Sequence, residues 1–451
     1  MNRRELMKWM ALSGATASAP GWVWAMGEGN SAGSNPGERL IMLFLRGGAD
    51  GLTLVPPLGD SAYFDQRPTL AVSEADALPL DTYFGLHPSA GSLKTLFDAG
   101  ELAVIQAAGT TTAERSHFEA QAIMEQGIDP QDLATGDGWL GRYLATINGG
   151  RPLSAVALDV AVPLSMAGLG SALALGEIDQ FSLQLDTRTR LILTEMYGKD
   201  PLLEPTANAV FDAAQALGPV QAFAPGSGYP TSELGTALSD AARLIKSGSG
   251  LKAAAINTGG WDTHERQDDD IGNLIGGLGD ALLAFRNDLG SEWGNTTVLV
   301  KTEFGRRVYE NASAGTDHGH GGVMMVAGGG VNGGQVYGSW PGLNASALSD
   351  GQDLAVTTDY RQVIAEMLSV RFGQTDLNDI LAGWQPQDWQ GIFRPIGESP
   401  VLSALAAPSL VSQKDSSYAP PNALDFSAIG PLPRLQSALP NTTTGQQRLI
   451  R

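Results

Sequence analysis

The stretch Thr316 to Gly322, TDHGHGG, holds two of the chain's five histidines, His318 and His320, with one glycine between them and Asp317 in front. Glycines bury little area, so imidazoles placed among them serve a packed core poorly. They suit a metal ion or an anionic group. Other blocks share this character. RGGADG, Arg46 to Gly51, sets Asp50 after a glycine turn, and ERSHFEAQ, Glu114 to Gln121, joins Ser116 to His117. Ser116 would lie near a helix start, where backbone N–H groups favour an anion. GGWDTH, Gly259 to His264, spaces Asp262 and His264 so that a strand would show both on one face and a loop could close both on one ion. TEFGRR, from Thr302, adds Glu303 and Arg306, whose guanidinium fork suits phosphate or sulfate.

Each block also has a plainer reading. Asp50 could close an Asx turn, and Ser116 could cap a helix with Glu119 completing the S-x-x-E box. Asp262 could hydrogen-bond His264 on a surface turn, and Arg306 could sit in a surface ion pair. Taken together the blocks say more. His117, His264, His318 and His320, four of the five histidines, fall beside Asp, Glu, Ser and Gly, whereas His87 in FGLHPS precedes a helix and reads as structural. Paired metals about 4 Å apart, clamping the attacking and leaving oxygens of a displacement, account for that company.

Composition narrows the chemistry. The chain has no cysteine, so disulfides and thiolate zinc sites are excluded. Its formal charge of −20 argues against nucleic acid or an anionic membrane as partner. An anionic substrate would need local help from metal ions or arginines. Residues 1–25, with Arg3-Arg4, an Ala/Gly-rich apolar run and Val23-Trp24-Ala25, read as a twin-arginine export signal. The expected location is the periplasm or outside the cell, with the twin-arginine export machinery as a partner. No later run reaches the roughly 20 apolar residues of a membrane helix.

The elements that must position these blocks follow from hydrophobic pattern. After a polar linker over 26–37, the continuous apolar run 39–45 predicts a buried strand, as do 102–108, 252–258, 296–302 and 323–327. Helical spacing covers 88–100, the run SELGTALSDAARLIKSG, 276–289 and DYRQVIAEMLSVRF, the last with Thr358 as cap. Alternating strands and helices predict an α/β sandwich around a mostly parallel sheet. Asp50, Asp262 and Glu303 each follow a strand, and the carboxyl ends of parallel strands are where such folds build sites. One domain is expected over 38–400, with a helical insertion around 150–245, then a Pro/Ser-rich tail over 401–451.

The ordered set LFLRGGADGLTLVPP, FGLHPSAGSLKTLFDAGELAV, RSHFEAQ, GGWDTH, TEFGRR, TDHGHGGVMMVAGGGVNGG and DYRQVIAEML resembles the exported family known as domain of unknown function 1501. That family is similar in turn to the alkaline phosphatase and sulfatase superfamily. The resemblance implies a three-layer, alkaline phosphatase-like fold, divalent metal ions (zinc, manganese, calcium or magnesium) and hydrolysis of a small anionic phosphate or sulfate ester. It implies Ser116 as nucleophile and Arg306 or Arg115 as anion holder. Asp262, His264 and His318 or His320 would bind one metal. Asp50 and Glu303, with Ser116 or His117, would bind a second. The chain departs from the superfamily in the spacing of Asp262 and His264, and Phe304 stands where a histidine is usual if Glu303 replaces the motif's aspartate. Those departures keep a second reading open, a non-catalytic binding or envelope-assembly protein that retains a metal.

Overall fold

In a computed structural model, the structure describes residues 37–396 apart from 129, 131–135, 148–150, 182–186, 198–203 and 386. The export signal, the linker up to residue 36 and the tail over 401–451 lie outside the described residues.

Apolar runs become strands buried on both faces: β1 (Arg39–Leu45), β2 (Leu102–Gly109), β3 (Ala155–Ala157), β4 (Leu173–Ala174), β5 (Ala253–Thr258), β6 (Thr296–Thr302) and β7 (Gly322–Gly328). The short β8 (Gln335–Tyr337) and β9 (Thr358–Asp359) complete a nine-stranded sheet. Its order is β8-β2-β7-β6-β1-β5-β3-β4, with β9 on β2. Every pairing is parallel except those of β7, which runs antiparallel to both β2 and β6.

Alternation along β1 divides the core. Ile41, Leu43 and Leu45 pack into the layer beneath, and Leu40, Met42 and Phe44 into the layer above. The lower layer holds α1 (Gly91–Asp98), α4 (Glu233–Lys246) and α5 (Gln267–Leu289). The upper layer holds α2 (His117–Gln126), α3 (Trp139–Thr146) and α6 (Tyr360–Val370). This is the α/β sandwich around a mostly parallel sheet that the pattern predicts, with the three layers that the resemblance implies.

Three local expectations differ. α5 begins at Gln267 rather than Gly276, because Ile271 and Ile275 continue its buried stripe and outweigh the helix cost of Gly272 and Gly276. The cap of α6 is Asp359, whose carboxylate accepts from Arg361 N at 2.9 Å, since the Thr358 backbone still pairs with Ala108 in the sheet. The 150–245 segment carries helices Thr187–Tyr197 and Glu204–Gln221, but it also contributes β3 and β4 to the sheet and α4 to the core.

Candidate metal centre

β1, β2, β5 and β6 point the same way, so the loops that leave them meet at one edge of the sheet. The reversed β7 delivers its entry loop, which carries His318 and His320, to that same edge. Backbone ladders hold the loops tightly. Gly305 N donates to His320 O at 2.8 Å, Gly319 N to Gly305 O at 2.8 Å, and Arg307 N to Asp317 O at 2.9 Å. Glycine is required at such contacts. A Cβ on Gly305 would lie 1.9 Å from Gly321 O, and one on Gly47, whose φ is 120°, would lie 2.5 Å from Asp262 N.

His117, Asp262, His264 and His318 converge there. His318 Nδ1 faces Arg115 O at 2.8 Å, His264 Nδ1 faces Asp317 Oδ1 at 3.2 Å, and His117 Nδ1 faces Glu303 Oε1 at 2.8 Å. Each of those oxygens only accepts, so each Nδ1 is placed to donate. A neutral ring that does so keeps its lone pair at Nε2, and an Nε2 lone pair facing a carboxylate is unfavourable unless a proton or a metal ion lies between them. The three Nε2 atoms turn toward Asp262. His264 Nε2 lies 3.1 Å and His318 Nε2 3.3 Å from Oδ1, and His117 Nε2 lies 3.4 Å from Oδ2. His117 Nε2 is buried and has no hydrogen-bond partner. His264 Nε2 and His318 Nε2 stand 2.8 Å apart, so two lone pairs oppose one another unless a proton or a metal ion lies between them. Candidate ligand atoms of His117, Asp262 and His318 all lie within 4.8 Å of one another. A carboxylate or carbonyl behind each inward-facing imidazole is the outer arrangement that orients metal-bound histidines. The donor set fits zinc or manganese better than calcium or magnesium, which prefer oxygen alone.

The surroundings tune the charges. Burial alone would raise the Asp262 carboxyl, but the Arg306 hydrogen bond and charge hold it below its ordinary range. Burial likewise opposes ionisation of Glu303, and hydrogen bonds from Gln121, His117 and Gly47 N outweigh it, so its pKa is lowered. The Asn311 amide holds Asp317 low, and burial lowers His318, keeping that ring neutral further into acid. Phe304 packs its ring 4.9 Å from both the His117 and His318 rings, an apolar wall where the superfamily resemblance expects a histidine.

The structure brings Asp262, His264 and His318 together as expected, and it adds His117 more firmly than the sequence reading did. Four expected residues are placed otherwise. Asp50 is buried, and its carboxylate takes Arg67 Nη1 at 2.6 Å, Arg67 Nη2 at 3.1 Å, Thr53 Oγ1 at 2.7 Å, Gln267 Nε2 at 2.7 Å and Leu52 N at 3.2 Å, which leaves it no capacity for a metal. Glu303 orients His117 from behind through Oε1, and its Oε2 faces Thr302 Oγ1 at 3.1 Å. His320 is buried, with Nε2 on Thr110 O at 2.9 Å, and stands outside the cluster. Arg306 is buried and donates to the Gly47, Gly48, Trp261 and Thr316 carbonyls as well as to Asp262 at 2.5 Å, so it clamps loops and presents no surface to an anion.

Ser116 occupies the N-cap position of α2 without making a side-chain cap bond, and its N–H donates to Glu114 Oε1 at 2.7 Å instead of joining a capping box. Arg115 beside it, a third of its side chain exposed, pairs with Asp353 and Asp350. Asp317, Asn311 and Gln121 support the centre, and the sequence reading gave them no such role. Their signal was position alone, one residue before His318, six before Asp317 and four after His117.

A family model described as "Protein of unknown function (DUF1501)" matches residues 103–383. No curated protein matches the chain. Among solved structures it is similar to a phosphonate monoester hydrolase of Agrobacterium radiobacter, at 10% identity and TM-score 0.34, covering 82% of this chain and 83% of that one. It is also similar to a sulfatase from Pseudoalteromonas sp., at 11% identity and TM-score 0.34, covering 80% and 71%. A third is an alkaline phosphatase from the Antarctic bacterium TAB5, at 12% identity and TM-score 0.29, covering 64% and 91%.

Proposed function

This chain belongs to the DUF1501 family of proteins of unknown function, and we propose that it is an exported metal-dependent hydrolase of phosphate or sulfate esters. One observation supports this reading above the rest. Three imidazoles, each with Nδ1 against an accepting oxygen, turn their Nε2 atoms toward one carboxylate, at the sheet edge where the parallel strands end. His117, Asp262, His264 and His318 would hold a single ion. That departs from the two-ion expectation, because the Asp50 carboxylate is taken up by Arg67, Thr53, Gln267 and Leu52 N, and Glu303 stands behind His117. When bound, the ion would supply Lewis acidity toward an ester oxygen. Ser116, next in the chain to His117, would form the bond to phosphorus or sulfur as the ester oxygen leaves and takes a proton, and water would then release the serine. Arg115 takes over the anion-holding role expected of Arg306, since its side chain reaches solvent. The ester class follows the ordered blocks of the sequence resemblance, as does export by the twin-arginine route to the periplasm or beyond. Among the described residues, no helix is long and apolar enough to cross a membrane.

A second reading has its own observation. Among the described residues no imidazole hydrogen-bonds the Ser116 hydroxyl, and Phe304 closes one side of the centre. A non-catalytic protein that keeps the metal to bind a partner would look the same. The test is metal content of protein purified without chelators or nickel resin, followed by turnover of a panel of phosphate and sulfate esters. Hydrolysis predicts one transition-metal ion per chain, lost in Asp262→Asn, and turnover abolished in Ser116→Ala while the metal remains. Metal without turnover favours the second reading. A metal-free chain that binds none on titration overturns both.

A further inference from the structure

Beneath the centre a single buried amide touches two of the three segments that carry its donors, and we infer that Gln267 is a positioning residue which sets the spacing of those two loops. This rests on the metal centre proposed above. Gln267 opens α5 and is fully buried. Its Oε1 accepts from Thr263 Oγ1 at 2.8 Å and from Thr316 Oγ1 at 2.7 Å. Thr263 lies between Asp262 and His264, and Thr316 directly precedes Asp317, whose carboxylate orients His264. The two loops also meet through Thr316 N and Thr263 O at 3.1 Å.

The other end of the amide fixes its orientation. Nε2 donates to Asp50 Oδ2 at 2.7 Å and to Thr53 Oγ1 at 3.0 Å. Two lone pairs and two N–H groups are thereby all used. A flipped amide would set its oxygen against the Asp50 carboxylate, so only one orientation holds. Asp50 is anchored by Arg67, and the same guanidinium donates to Arg307 O and Val308 O, each at 2.8 Å. Arg307 adjoins Arg306, whose backbone bridges to His318. One charge pair and one amide therefore hold the 262–264, 305–308 and 316–318 segments in register. This gives the buried Asp50 a function distinct from metal ligation. The Gln267 side chain hydrogen-bonds Thr263, Thr316, Asp50 and Thr53 rather than the donors, so its influence passes through Thr263 and Thr316.

Removing the amide takes one partner from three buried hydroxyls, those of Thr263, Thr316 and Thr53, and one from an Asp50 carboxylate oxygen. Outer groups that orient metal ligands are commonly worth 10–100-fold in affinity, and an effect of about tenfold is expected here. The experiment titrates Co(II) alone into full-length, metal-stripped protein and reads affinity and the visible absorption bands of the bound ion. The comparison is between wild type, Gln267→Met, Thr316→Val and Leu368→Ala. Leu368 is buried in α6, within the upper core. Leu368→Ala should lower the melting temperature while cobalt affinity and bands stay unchanged. Gln267→Met should weaken cobalt about tenfold and shift its bands, and Thr316→Val should do so by less. If Gln267→Met fails to fold, Thr316→Val decides by the same readout. Unchanged cobalt binding and bands in the folded Gln267 or Thr316 variant would overturn the inference. So would an equal loss in Leu368→Ala, which would trace the effect to general stability. Failure of the wild type to bind cobalt would instead sink the metal centre, and the positioning role with it.

Discussion

Arg306 shows how charge and freedom separate at a single residue. Its guanidinium fork marks it by type as an anion holder, yet that fork is consumed by four backbone carbonyls and Asp262. Lysine cannot reproduce that planar fork, so Arg306→Lys would leave several buried carbonyls unpaired. The expected loss is about 3 kcal/mol in urea unfolding, with cobalt affinity falling as Asp262 is released. A raised KM at unchanged stability would instead return Arg306 to the substrate. The two histidines of TDHGHGG divide in the same manner. His318 aims Nε2 into the cluster, whereas His320 lies buried with Nε2 on the Thr110 carbonyl. His318→Ala should abolish metal binding with little change in the stability of the metal-free chain. His320→Ala should retain the metal and lose roughly 1–3 kcal/mol, as a truncated buried side chain does. Spacing could not separate the pair, because both lie before the same strand and only the ladder to residues 305–307 decides which ring faces Asp262.

Among the elements, those that build the core were legible and those that orient the site were less so. β1, β2, β5, β6 and β7 read directly as apolar runs because each is buried on both faces. The antiparallel sense of β7 left no mark, since a strand's composition does not record its direction, yet that reversal brings His318 to the edge. Short β3 and β4 are too brief for a period to emerge. β6 carries one residue that breaks its pattern. Lys301 is buried against the Phe44 ring, with Nζ donating to Met124 O at 2.8 Å, and burial lowers its pKa to about 7. The unfolded lysine titrates near 10.4, so between the two values the unfolded chain binds more protons and stability rises with pH. From pH 7 to pH 9 that contribution is about 2 kcal/mol. Comparing urea unfolding of wild type and Lys301→Met at both pH values isolates it. The wild type should gain relative to the variant, and parallel curves would show that Lys301 is not titrating there.

Across the whole molecule, the centre ties together segments from distant parts of the chain. His117 follows β2, Asp262 and His264 follow β5, and His318 precedes β7. The sequence showed that these residues belong together by type, but their meeting depends on sheet order, which places β5 and β2 on opposite sides of the β1–β6–β7 group. An ion held by all four would cross-link both halves of the sheet edge in the folded state alone. The unfolded chain cannot assemble that geometry, so metal binding adds to stability by mass action, about 2.7 kcal/mol when free metal stands a hundredfold above Kd. Stripping the protein with a chelator should therefore lower its melting temperature, and restoring zinc or manganese should recover it in a concentration-dependent way. Calcium and magnesium should restore much less, because the donors are mostly imidazole. The increment should vanish in His264→Ala, since the opposed Nε2 pair is then lost. The same midpoint with and without metal in the wild type, measured across a range of free zinc concentrations, would mean that the histidines share a proton and hold no ion.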